Sequence, residues 1–140
     1  MINRELIISK LANIQNYLQE LKLILQHSSR EIIEDNLKLH TVERLFQLIV
    51  DSAIDINTHL ITTTEATVPS DYQSTFITLG EQKILDSDFA LKIAPSVGLR
   101  NLIIHQYGKV DLKRVVDDVK SEIDQYVEYL KMIRKYIDQP

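Results

Sequence analysis

The chain has 140 residues, no cysteine, and 16 basic against 20 acidic side chains, for a formal net charge of −4. That length suits one domain with a sizeable core, and the 44% apolar fraction is that of an ordinary globular protein. The absence of cysteine excludes disulfides, thiol catalysis and thiolate metal sites, and an acidic chain does not bind nucleic acid through an overall positive field, so any such contact must be local.

No apolar run reaches the roughly 20 residues that a bilayer span needs. The opening MINRELIISK turns charged too early for a secretory signal, so a cytoplasmic location is the default expectation. Glycine and proline number only three each; apart from Pro140 they fall between residues 69 and 108, which leaves both halves of the chain open to long helices.

In chain order, Ile7, Leu11, Ile14, Leu18, Leu21 and Leu25 alternate steps of four and three, the spacing of one apolar helix face. The Ser28-Ser29 pair ends that helix, and Ser28 with Glu31 has capping-box spacing for the next. Val42, Phe46, Ile49, Ala53, Ile56 and Leu60 repeat the rhythm. The polar stretch from Thr62 to Ser70, with Pro69, reads as the longest loop.

Ser70 and Gln73 predict the start of a short helix through about Leu79, ended by Gly80. Asp86 or Ser87 can cap the following segment, which Pro95 kinks or restarts. Gly108 suits a helix C-cap and Asp111 the N-cap of a last helix. That helix carries the stripe Leu112, Val116, Val119, Ile123, Tyr126, Leu130, Ile133 and Ile137. No segment sustains the period of two that a strand requires. The expected fold is all-α: a single domain over residues 1–140, an up-and-down bundle of about five helices.

The chemistry concentrates in RNLIIHQY, Arg100 to Tyr107, at the end of a helix. A guanidinium is a permanent cation whose planar donor fork suits phosphate. An imidazole gives and takes protons near neutral pH. Together they point to cleavage of a phosphodiester without a metal ion. The bland alternative is that Arg100 forms a salt bridge, His105 caps the helix C-terminus and Tyr107 anchors a turn.

On an ideal helix Arg100 and His105 diverge by roughly 140°, with Tyr107 on the Arg100 side and Asn101 beneath His105. Ile104 interrupts the polar arc. A symmetric dimer packing this helix on its copy would cover Ile104 and bring Arg100 and His105 of two chains around one cleft.

Asp51, Asp55 and His59 recur every four residues on one helix edge. Asp51 and Asp55 read either as a pair that orients Arg100 or His105 or as a wet face; the wet face is the preferred reading for Asp51, and the two stand level for Asp55. Two ligands at i,i+4 without a third do not make a zinc site, and His27 and His40 have no metal-type partners. No metal or cofactor is implied. Lys109, Lys113 and Arg114 offer the local basic patch that the net charge does not supply.

Gly98-Leu99-Arg100-Asn101, three apolar residues, His105-Gln106-Tyr107 and then an aspartate-capped long helix resemble the HepT family of HEPN-domain toxins. The likeness covers most of the chain. Glu43-Arg44, Ile54-Asp55-Ile56 and His59-Leu60 look like that family's second helix, and Tyr72 falls where its short helix starts. The family pattern, Arg, four residues, His, one residue, Tyr, is met by Arg100, His105 and Tyr107.

The resemblance implies a HEPN-type helical bundle dimerising through the motif helix. It implies a metal-independent endoribonuclease acting on transfer or messenger RNA, with Arg100 and His105 catalytic and Asn101 and Asp55 supporting. It also implies a minimal nucleotidyltransferase antitoxin that silences the toxin by attaching AMP to Tyr107. The alternative is a non-catalytic helical subunit that presents substrate to that nucleotidyltransferase.

Overall fold

Seven helices make up the computed structural model, which describes residues 1–105 and 110–139. Asn3 opens α1 (Arg4–Ile24), its side-chain oxygen accepting from the Leu6 amide. The predicted stripe on α1 is the buried one: Ile7, Leu11, Ile14, Leu18 and Leu21 all lie in the core. At roughly 1.5–3 kcal/mol for each fully buried side chain of this size, that face is what holds α1 to the bundle. It packs mainly on α3.

Ser28 caps α2 (Ser29–Glu34) by accepting from the Glu31 amide. The helix then stops at Asp35, a break absent from the sequence reading. Asp35 is extended, with φ −118° and ψ 103°, and its carboxylate accepts from the amides of Leu37 and Lys38. It thereby caps α3 (Asn36–Thr62) and pairs with Lys38 at 2.8 Å. Helix α3 is the centre of the bundle, burying the predicted Val42, Phe46, Ile49, Ala53, Ile56 and Leu60 together with Leu45, Val50, Ile54 and Ile61.

Helix α4 (Tyr72–Glu81) is capped by Asp71 rather than Ser70, through the Ser74 amide. Gly80 lies inside this helix and does not end it. A Cβ on Gly80 would stand 2.7 Å from that of Ala90, so the glycine permits α5 (Ser87–Ile93) to cross closely. The helix is closed instead by Lys83, just past its end, whose φ of 61° is left-handed, while the amides of Ile84 and Leu85 return to the Leu79 carbonyl. This is the usual way of satisfying last-turn carbonyls.

Pro95 separates α5 from α6 (Ser96–His105), so it restarts the helix rather than kinking it. Asp111 caps α7 (Leu112–Ile137) through the Arg114 amide, as expected. The ends of the chain meet: Arg4 donates to the Ile137 carbonyl at 2.5 Å and to Asp138 at 2.7 Å.

Two tyrosines one turn apart on α7 fix the elements that matter below. Tyr126 shares a 2.7 Å hydrogen bond with Ser96, the first residue of α6. Tyr129 donates to Asn57 at 2.6 Å; Asn57 donates to Thr75 at 3.2 Å, and Thr75 to the Tyr72 carbonyl at 2.6 Å. This buried chain links α7, α3 and the start of α4. Phe76 meets both rings edge-on, with centroids 6.5 and 5.8 Å away. Among the described residues there is no strand, and no helix is long and apolar enough to cross a membrane.

Candidate functional site

Arg100 lies midway along α6 with its side chain only 17% exposed. Burying a guanidinium demands compensation, and three neighbours supply it. One oxygen of Asp51 on α3 accepts from Nε at 2.7 Å and forms an ion pair with an Nη at the same distance. The other Nη donates to Asn101 Oδ1 at 2.9 Å. The Tyr72 ring lies beside the cation, 5.9 Å from centroid to guanidinium carbon, within cation–π range. The cation is thus fixed in place by elements from three parts of the chain.

Arg100, Asn101 and His105 line one concavity of about 460 Å³, completed by Ser70, Asp71, Tyr72, Gln73 and Val97. Arg100 and His105, which diverge on an ideal helix, both line this hollow within one chain. His105 is exposed at the end of α6. A cation and a proton-transfer group on one wall are equipped to bind a phosphodiester and move a proton at it.

Asp51, assigned from the sequence to a wet face, is the carboxylate that meets Arg100. Asp55 pairs with Lys10 of α1 at 3.0 Å and is 59% exposed. It lines a second concavity, about 660 Å³, with Asp51, Ile54, Thr58, His59, Tyr72 and Arg100. His59 accepts the Asn3 backbone N–H at 2.9 Å, tying the end of α3 to the start of α1.

Lys113 and Arg114 are engaged by acids on their own helix, Asp117 at 2.9 Å and Asp118 at 4.0 Å. Arg114 lines a different hollow between α6 and α7, with Leu99, Leu102, Asp118 and Glu122. Burial, reinforced by Asp118, pushes Glu122 up to about 7. Tyr107 and Lys109, and the expected C-cap Gly108, lie outside the described residues. No group of three or more His, Asp or Glu that could hold a metal occurs among the described residues.

Sequence reasoning ranked Asp51 as a partner of the arginine below a wet face, and it missed Tyr72. The signal for Asp51 was present as its i,i+4 spacing with Asp55, but which turn of α3 faces α6 is decided by packing. Tyr72 offered a weaker signal, an aromatic residue at the first position of a helix after a polar loop.

Comparison with known proteins places this geometry in a family. A 34% identical relative from Aphanizomenon flos-aquae, described as tRNA nuclease HepT, matches 92% of this chain and 88% of its own length. A 22% identical relative from Shewanella oneidensis, described as mRNA nuclease HepT, matches 93% of this chain and 97% of its own. The fold is that of the tri-AMPylated Shewanella oneidensis HEPN toxin solved with its MNT antitoxin, at TM-score 0.85 and 21% identity, covering 96% of this chain and 99% of that one. The family model described as "Ribonuclease HepT-like" matches residues 14–133. With most of its length so matched, the chain belongs to the HepT-like ribonuclease family.

Proposed function

We propose that this protein is an endoribonuclease toxin that cuts RNA by acid–base chemistry at Arg100 and His105, without drawing on a metal. The observation that carries the reading is the shared concavity, where a nearly buried, three-way-held guanidinium stands with Asn101 and His105. Family membership, and relatives described as tRNA and mRNA nucleases, support the same reaction.

RNA carries its own nucleophile. His105 takes the proton of a ribose 2′-hydroxyl as its oxygen bonds to the adjacent phosphorus. Arg100 offsets the charge that grows on the equatorial phosphate oxygens. The P–O5′ bond then breaks, leaving a cyclic phosphate on one fragment; the departing oxygen takes a proton from an acid, the role assigned to His105 of a second copy. Dimerisation through α6 is supported by Ile104, an apolar residue exposed on that helix. Asp51 orients Arg100, and Asp55 is at most an outer neighbour of that pair.

The antitoxin is a minimal nucleotidyltransferase that attaches AMP to Tyr107. The toxin–MNT structure, whose toxin is tri-AMPylated, supports this kind of partner. Lys109, Lys113 and Arg114 are the proposed outlying RNA contacts, Lys113 and Arg114 acting after Asp117 and Asp118 are exchanged for phosphate.

The deciding experiment is incubation of the purified full chain with a defined transfer RNA and a defined messenger RNA in chelator. Discrete fragments ending in cyclic phosphate are expected. Intact RNA under those conditions, with AMP still transferred to Tyr107 by the antitoxin, would favour the non-catalytic subunit instead.

A further inference from the structure

Tyr72 stands at an unusual place for a large aromatic side chain. It is the first residue of α4, it is 52% exposed, and it lines both concavities of the site, as Arg100 does. The ring therefore forms a ridge between them with the guanidinium alongside. Its backbone is anchored on both sides: Asp71 caps the helix just before it, and the Tyr72 carbonyl accepts from Thr75 at the end of the buried Tyr129–Asn57–Thr75 chain. The half-exposed ring thus projects from a fixed piece of backbone.

We propose that Tyr72 is a stacking platform for an unpaired nucleobase adjacent to the phosphate that Arg100 holds. The inference rests on the ribonuclease reading above and adds the form of the substrate. The two hollows differ in charge. Arg100 lines both, joined in the first by Asp71, Asn101 and His105 and in the second by Asp51, Asp55 and His59. One carboxylate against two makes the first the better place for a phosphate and leaves the second to an uncharged base.

A strand whose phosphate sits on the His105 side turns its base, and not its backbone, across the ridge. An aromatic ring accepts any base face, and a base can reach it only when unstacked from its neighbours. The enzyme therefore selects loops and single strands, and rejects the same sequence within a duplex.

The test compares Tyr72→Ala, Tyr72→Leu, Tyr72→Phe and Tyr72→Trp in the full chain. Loss of one base–aromatic stack corresponds to roughly a five- to hundredfold change in affinity, so KM for a single-stranded RNA should rise by that factor in Tyr72→Ala and Tyr72→Leu. The aromatic variants should stay near the parent protein. In a His105→Ala background, which spares the RNA, an oligonucleotide bearing fluorescent aminopurine should be quenched on binding, and the added Tyr72→Leu change should abolish the quenching.

A Tyr72→Leu enzyme with parental KM, or one losing only kcat while the quenching persists, would mean that the ring merely props Arg100 and would overturn the proposal. Equal cleavage of the duplex form would overturn it as well. If the parent protein cuts no RNA, the ribonuclease reading fails on its own, and the fluorescence comparison still decides whether a base stacks on Tyr72.

Discussion

Tyr129 donates its phenolic proton to Asn57 Oδ1 at 2.6 Å across the interface of α3 and α7, with both side chains fully enclosed. Burial pushes the phenol far above its ordinary range, so it stays a neutral donor. Because Asn57 passes the contact to Thr75 and so to Tyr72, this core bond also sets the edge of the candidate site. Tyr129→Phe keeps the ring and strands Asn57 Oδ1. An unsatisfied buried acceptor costs about 1–3 kcal/mol, and chemical denaturation should show a loss of that size with the helical spectrum unchanged.

Arg100 and His105 are assigned different work, and their replacements should show it. Each of Arg100→Ala and His105→Ala should fold and cleave at least about a hundredfold more slowly, the scale of a lost proton-transfer or charge-stabilising group. Arg100→Ala should also bind RNA more weakly, since the cation is what attracts the phosphate. Cleavage time courses and binding titrations separate the two; a His105→Ala protein cutting at the parental rate would remove the acid–base mechanism.

Asp51 and Asp55 stand one turn apart on α3, yet only Asp51 touches Arg100. Asp51→Asn should leave the cation less firmly aimed and lower kcat by up to about a hundredfold, as small misplacements do. Asp55→Asn breaks only an exposed pair with Lys10, whose contribution is typically below about 1 kcal/mol, and should cleave within a few-fold of the parent. The reverse order would return the orienting role to Asp55.

The contrast between those two aspartates marks where the sequence stops being readable. The apolar stripes of α1, α3 and α7 were legible because a 3.6-residue period identifies a buried face without knowing its partner. That Arg100, Asn101 and His105 lie on one helix was legible because capping and spacing signals are local. What joined them was not: the Asp51 contact spans 49 residues, and only packing of α6 on α3 selects it. The same limit hid the ends of α4, where Gly80 looked like a stop but serves a close crossing with Ala90, and the left-handed turn falls on Lys83. Asp35 was a capping signal within reach, overshadowed by the Ser28 box before it.

Glu122 gives the molecule a pH dependence near neutrality. Its folded-state value of about 7 lies above the ordinary 4.5, so folding favours the protonated form. That stabilisation is fully present below about 4.5 and is lost as pH rises through 7. The lowered carboxyl of Asp117, held down by Ser29 first and Lys113 next, acts only in acid, below its ordinary 3.8. Glu122→Gln should therefore flatten the stability profile between pH 5 and 8, and raise stability at pH 8 by on the order of 1 kcal/mol once solvent screening is allowed for. Unfolding curves across that range check it; a parallel shift of the whole profile would contradict the assignment.

Dimerisation can be tested against the single-chain site directly. Arg100, Asn101 and His105 line one hollow of a single chain, so on the proposed mechanism an isolated chain would hold the phosphate-binding cation and one proton carrier. The reaction needs two proton transfers, one off the 2′-oxygen and one onto the leaving oxygen, and one imidazole serves both only in sequence. Ile104 is 38% exposed on the same helix, an apolar surface that a second α6 would cover. Ile104→Glu places a charge there without touching Arg100 or His105. It should convert a dimer, sedimenting as such at micromolar concentration, into a folded monomer. Cleavage should fall with it by about a hundredfold, the usual loss on removing one positioned acid. A monomeric Ile104→Glu protein with parental cleavage would show that the hollow in one chain is sufficient, and would assign both proton transfers to a single His105.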